Sequence, residues 1–148
     1  MAVDRIVLLD AARSASRHAY APYSGFAVGA ALLLADGKII TGCNFENASS
    51  GLSLCAETVA LATANSQGSL NLVREIAVVG GRIAADGPVG CDPVHPCGRC
   101  RQVIAEAAAI SGCDILVHCG SADGSANVTH RLSTLLPYSF GPADLGRA

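Results

Sequence analysis

The sequence predicts an α/β fold in which a mixed β-sheet carries helices on its faces. Three observations predict it. Apolar residues recur at helical steps in three segments, five other apolar runs are bounded by turn residues, and the two kinds follow one another in the order α-β-β-α-β-α-β-β.

From Val3 to Ala19 the apolar positions Val3, Ile6, Val7, Leu9 and Ala12 recur at mixed three- and four-residue steps, with Arg13 and Arg17 one turn apart. This is an amphipathic first helix. YAPYSG supplies Pro22 and Gly25 as breakers, and FAVGAALLLADGKIITGCNF follows as two apolar runs around Asp36-Gly37, a β-hairpin signal. After the polar loop NASSG, the alanine- and leucine-rich CAETVALATANSQG makes a second helix closed by Asn65 and Gly68. REIAVVGG is the next strand. The stretch from Gly80 to Pro96 holds Gly87-Pro88 and Asp92-Pro93 and predicts a long loop without secondary structure, a kind of segment that is often functional. CGRCRQVIAEAAAI makes a third helix, CDILVHC a strand, and SANVTH a short strand after Asp123-Gly124. The last two strands are joined by too few residues for a parallel crossover, which needs about ten or more, so they pair antiparallel. A right-handed βαβ unit is expected across the strands flanking the second helix.

With 148 residues the chain has the size of one domain, spanning 1–148, whose core needs no disulfides. Hydrophobic residues make up 51% and charged residues 15%, well below the roughly 25% charge of ordinary soluble domains. A surface so short of charge predicts apolar contact between subunits, hence a homo-oligomer. Ten Lys and Arg against twelve Asp and Glu leave a net charge of −2, and Lys38 is the only lysine. Without a cationic track to neutralise phosphates, a nucleic-acid polymer is disfavoured as partner and a small molecule fits better. Asp4, Arg5 and Asp10 interrupt any secretory-signal core, and the longest apolar run, Phe26 to Ala35, is far short of a membrane span. A soluble, cytoplasmic protein is expected. Its seven cysteines are then metal ligands, a nucleophile or small core residues rather than a disulfide framework.

Cys97 and Cys100, in PCGRC, stand three apart, which places both sulfurs on one side of a helix's first turn. Cys55 opens the other helix, so two helix N-termini can converge on one ion, and their dipoles favour thiolate charge. Three protein ligands leave a fourth tetrahedral position to water, the pattern of catalytic rather than structural zinc. Glu57 is placed to take that water's proton and pass it on, provided Cys55 sits at or before the helix start; inside one helix the two side chains would diverge. Alternatives stand beside this. A lone C-x-x-C is equally a redox pair, and Cys91 or His95 as fourth ligand would close the site into a structural zinc module. Phe26 alone reads as core, Asn44 and Glu46 as solvated turn residues, and Phe140 as terminal packing. Cys43, Cys91, Cys113 and Cys119 read as small core or loop residues, and His18, His118 and His130 as surface or helix-end residues.

Cys-Ala-Glu followed by Pro-Cys-x-x-Cys resembles the zinc-dependent cytidine deaminases of the small, homotetrameric three-cysteine type. The likeness runs through YAPYSGFAVGAAL at 20–32, GCNFENASSGLSLCAETVAL at 42–61, PCGRCRQVIAE at 96–106 and LLPYSFGPADL at 135–145. It implies a three-layer α-β-α sandwich with a mixed five-stranded sheet and one Zn²⁺ per subunit on Cys55, Cys97 and Cys100. It implies hydrolytic deamination of free cytidine and 2′-deoxycytidine, as in pyrimidine salvage, with zinc hydroxide attacking C4 and Glu57 as proton shuttle. Phe26 matches the aromatic on the pyrimidine ring, Asn44 and Glu46 the pair bonded to the ribose 3′-hydroxyl, and the Ala56 backbone a contact to the base edge. Phe140 matches an aromatic that closes a pocket, often a neighbouring subunit's. Deaminases of other aminopyrimidine nucleosides, such as antibiotics of the blasticidin S kind, share PCGRCRQV. Two positions depart from the family pattern: Thr58 stands where many relatives carry arginine, and Ser50 where they carry tyrosine. Three thiolates on Zn²⁺ leave a net negative site, which Arg99, Arg101 or the helix dipoles are expected to offset.

Overall fold

Asp4, in extended backbone, accepts a hydrogen bond from the Ile6 N–H and so caps the first helix, α1 (Arg5–Ser16). The structure is a computed structural model that describes residues 3–147; Met1, Ala2 and Ala148, which the expected 1–148 domain includes, lie outside the described residues. After α1 the chain forms the expected hairpin, β1 (Phe26–Leu34) and β2 (Ile39–Cys43), turning at Gly37, whose φ of 88° is open to glycine at no steric cost. Then follow α2 (Ala56–Ser66), β3 (Val73–Ala84), β4 (Gly87–Val89), α3 (Gly98–Ser111), β5 (Leu116–Ser121), β6 (Asn127–Arg131) and a one-turn α4 (Leu132–Leu135).

The main path of the sheet is β2-β1-β3-β5-β6, five strands as the resemblance implies, and the short β4 pairs with β3 off that path. β3 and β5 are parallel; every other pair is antiparallel, including β5 with β6. The parallel neighbours are therefore linked through α3, not α2. β2 and β3, which flank α2, run the same way with β1 inserted between them, because the hairpin leaves the outer edge of β1 free to take β3. The loop expected from Gly80 to Pro96 is corrected as well. Its first half continues β3 to Ala84 and turns back as β4, with Arg82 opposite Val89 and Ala84 opposite Gly87. Gly87 and Pro88, breakers in sequence, are accommodated on a three-residue edge strand.

Alternate strand residues serve two cores. Ala30, Leu32 and Leu34 of β1, with Ile76 and Val78 of β3 and Val117 of β5, pack against Ala56, Ala60, Leu61 and Ala64 of α2 and Ile104 and Ala107 of α3. Ala31, Leu33, Ala77 and Val79 face the other way, onto Leu8, Leu9 and Ala12 of α1. The result is a three-layer sandwich. Small residues let its layers close: a Cβ on Gly29 would run into the Ala12 carbonyl of α1, and one on Gly42 would meet the Ala60 nitrogen of α2 at 2.6 Å. His118 is not the surface residue expected. It is 4% exposed on β5, with Nε2 bonded to Glu75 Oε2 at 2.6 Å and Nδ1 to Thr129 Oγ1 at 2.8 Å, a polar tie across β3, β5 and β6. Among the described residues, no helix is long and apolar enough to cross a membrane. Leu52, Tyr138, Phe140 and Leu145 are exposed apolar side chains.

Candidate active site

Each of the two helices on the inner face starts at a cysteine. Cys55 is the N-cap of α2 with φ −77° and ψ 154°, and Cys97 is the N-cap of α3 with φ −65° and ψ 166°. Both are extended, so each side chain leaves its helix axis. Neither makes a capping hydrogen bond, which leaves both sulfurs for other work. Their Sγ atoms converge to 3.8 Å, and with Cys100, fully buried in the first turn of α3, the three sulfurs lie within 4.8 Å of one another. Sulfurs held at about 2.3 Å on a tetrahedral zinc ion stand roughly 3.8 Å apart, so the trio fits that ion.

The electrostatics also call for a cation. Burial pushes the Cys55 thiol up, and burial with the nearby Glu57 charge pushes Cys100 up further. Burial opposes ionisation of Cys97 too, but hydrogen bonds from the backbone and thiol of Cys100 and from Cys55 outweigh it and hold Cys97 below the usual thiol value. Three adjacent sulfurs of this kind ionise together only around a positive ion and two helix N-termini. Among the described residues this is the only group of three such donors close enough to share an ion. Cys91 is outside it, and so is His95, whose Nε2 meets His130 Nε2 at 3.1 Å instead. The donor group among the described residues is thus three sulfurs, Cys55, Cys97 and Cys100. Arg101 is fixed by two carbonyls, its Nε donating to that of Pro96 at 2.9 Å and its Nη1 to that of Leu135 at 3.0 Å. The Thr58 hydroxyl lies 3.6 Å from Cys100 Sγ.

Beside the sulfurs opens a cleft of about 280 Å³. Cys55 and Glu57 both line it, because the extended Cys55 turns its side chain to the side that Glu57, the second residue of the helix, occupies. Glu57 is 3% exposed, and burial raises its carboxyl above the usual range, which suits a group that both accepts and returns a proton. Phe26, Val28, Leu54 and Val94 make the apolar walls. The last three carried no signal in sequence beyond strand or loop hydrophobicity.

Asn44 and Glu46 also line the cleft, and both are already partly engaged. Asn44 stitches the end of β2 to β1: its Oδ1 accepts from the Val28 N–H and its Nδ2 donates to the Phe26 carbonyl, each at 2.9 Å. Glu46 Oε1 accepts from the N–H groups of Tyr23 and Ser24 at 3.0 and 3.1 Å. The Ser24 hydroxyl and those backbone donors hold the Glu46 carboxyl below its usual range despite some desolvation. Each side chain keeps spare capacity, one amide proton on Asn44 and one carboxylate oxygen on Glu46, with its orientation fixed. Ala56, fully buried at the start of α2, lines the same cleft. Phe140 does not: it is 59% exposed, tethered by its carbonyl to Gln102 Nε2 at 2.8 Å, and stands outside the cleft of its own chain.

Residues 4–114 match the family model described as the cytidine and deoxycytidylate deaminase zinc-binding region. The chain is 45% identical over 143 residues to a cytidine deaminase of Halalkalibacterium halodurans, a match covering 97% of this chain and 98% of that one. It is 41% identical over 150 residues to a cytidine deaminase of Mycobacterium tuberculosis, covering 98% and 96%. The crystal structure of a cytidine deaminase from Burkholderia pseudomallei superposes with a TM-score of 0.81 at 40% identity, over 93% of this chain and all of that one.

Proposed function

Because the chain belongs to the zinc-binding cytidine deaminase family and is an enzyme of that activity, we propose that Glu57 is its proton shuttle and that Phe26, Asn44, Glu46 and Ala56 hold the nucleoside. Cys55, Cys97 and Cys100 hold the zinc. Zinc bound there supplies Lewis-acid activation of the water that replaces the base's amino group.

The rest is work for the chain's own groups. The apolar walls and Phe26 take the flat, neutral pyrimidine, and the buried Ala56 backbone meets its polar edge. The free oxygen of Glu46 accepts the proton of the ribose 3′-hydroxyl while the spare Asn44 amide proton is given to its oxygen. Nothing in that pair addresses the 2′-position, so cytidine and 2′-deoxycytidine are both substrates. A polymer, whose 3′-oxygen is esterified, would leave the fixed Glu46 carboxylate desolvated and unpaired. Glu57 takes a proton from water at its carboxylate, gives it to N3 of the base, and then carries the second water proton to the departing amine. One water is consumed, and uridine and ammonia leave.

The observation that carries this reading is the buried Glu57 carboxyl in the cleft that Cys55 and Cys97 also line. Ultraviolet absorbance of cytidine with and without a zinc chelator tests it: turnover is expected to stop on chelation and return with zinc. Cytidine turnover that persists in metal-free protein would overturn it.

The exposed Tyr138, Phe140 and Leu145 support a homotetramer in which Phe140, outside its own cleft, closes a neighbour's. Sedimentation checks the subunit number, and Phe140→Ala raising KM without moving kcat would check the contact. The single 1–148 domain and a cytoplasmic location belong to the same proposal.

A further inference from the structure

Two histidines that the reaction does not use meet at the wall of the cleft. His95 lies on the short segment between Pro93 and Pro96 and lines the cleft; His130 lies on β6, opposite Val117 of β5. Their Nε2 atoms are 3.1 Å apart, with ring centroids 5.1 Å apart and planes tilted by 48°. With no ion between them, one Nε2–H donates to the other nitrogen. Two imidazole nitrogens at about 2.0–2.1 Å from one zinc ion stand roughly 2.9 Å apart at a right angle and roughly 3.4 Å apart at the tetrahedral angle. The observed spacing falls between the two.

Both donors are also held in advance. Pro93 and Pro96 restrict the backbone around His95 and the β5–β6 ladder holds that of His130, so only the two side chains remain to be ordered. We propose that His95 and His130 form a second metal site, distinct from the three sulfurs, that takes a borderline divalent cation such as Zn²⁺ and obstructs the cleft when filled. Neutral imidazoles select Zn²⁺, Ni²⁺ or Cu²⁺ over Mg²⁺ or Ca²⁺. The cation takes the place of the hydrogen bond: the donor ring's proton moves through solvent from Nε2 to Nδ1, both imidazoles stay neutral, and water completes the shell. Because His95 is part of the cleft wall, an ion held by its ring sits at that wall, and its waters crowd the space the nucleoside takes. Zinc beyond the catalytic equivalent therefore inhibits the enzyme that needs it.

The test uses the enzyme carrying one zinc per chain. Zinc is titrated calorimetrically, and cytidine turnover is followed over the same range of free zinc. Wild type is expected to take up a second equivalent, with KM rising in proportion to free zinc and kcat steady. His130→Ala, altered at a side chain that does not line the cleft, is expected to take up no second equivalent and to keep its KM throughout. His130→Gln repeats the measurement should the alanine variant fold poorly. A wild type that takes up no second zinc overturns the proposal, and so does a variant that still takes it up. Binding is read as stoichiometry, so this failure is distinct from failure of the deamination reading.

Discussion

Gly42 seats the helix that begins at Cys55, one of the three sulfur donors. It lies in β2 under the start of α2, where a Cβ would stand 2.6 Å from the Ala60 nitrogen and 2.8 Å from the Ala56 carbonyl oxygen. Ordinary contact begins near 3.4 Å, so Gly42→Ala must part strand and helix by 3.4 minus 2.6, about 0.8 Å. Overpacking of this kind costs about 1–3 kcal/mol, and each kcal/mol lowers the Tm of a domain of this length by roughly 2–4 °C. The larger consequence is local. α2 carries Cys55 while α3 carries Cys97 and Cys100, and metal–ligand distances tolerate only about 0.2 Å. Zinc affinity should therefore fall more than stability does. Gly29→Ala is the control: it forces a Cβ into the Ala12 carbonyl on the opposite face, disturbing α1 but neither ligand helix. Calorimetric melting and chelator competition are to be run on both variants. A lowered Tm in both, with zinc lost only from Gly42→Ala, is the expected outcome. Equal zinc affinity in the two variants would refute the idea that the seating of α2 sets the site.

The Thr58 hydroxyl is the polar side chain that touches the buried Cys100 sulfur, so Thr58→Val should weaken zinc binding by about 10–100-fold in chelator competition, and Thr58→Ser should restore it. Glu57→Gln should keep zinc yet lower kcat by about 10²–10⁴-fold, as expected when a proton shuttle is removed. The same variant carries a pH signature in metal-free protein. Burial holds the Glu57 carboxyl above its unfolded value, so its contribution to stability is present in acid and is lost as pH rises through the raised value. Wild type and Glu57→Gln should melt alike below the ordinary glutamate range, with the variant melting higher at alkaline pH; parallel Tm curves would contradict the burial.

Much of this was legible in sequence because local chemistry decided it. Asp36-Gly37 marked the hairpin, and the requirement that Cys55 precede its helix followed from Glu57 lying two residues on; the extended Cys55 meets it. Non-local pairing was less legible. Gly87 and Pro88 disfavour strands, yet the long β3 offers an edge on which three residues pair regardless. The insertion of β1 between β2 and β3 depends on which hairpin edge stays free, which no short window reports. Partners distant in sequence were invisible too. His118 reads as an exposed polar residue until Glu75, 43 positions away, and Thr129 enclose it. His95 and His130 meet across 35 positions. Asn44 and Glu46 look like turn residues, and only the folded hairpin shows that each spends part of its bonding capacity fixing its own orientation.

Deamination by this chain depends on the coordination of one ion, which X-ray absorption at the zinc edge measures directly. Three sulfur scatterers near 2.3 Å and a single oxygen scatterer are predicted for enzyme carrying one zinc per chain. A fourth sulfur, or an imidazole nitrogen in place of that oxygen, would mean a closed structural centre with no room for the water that Glu57 is placed to deprotonate.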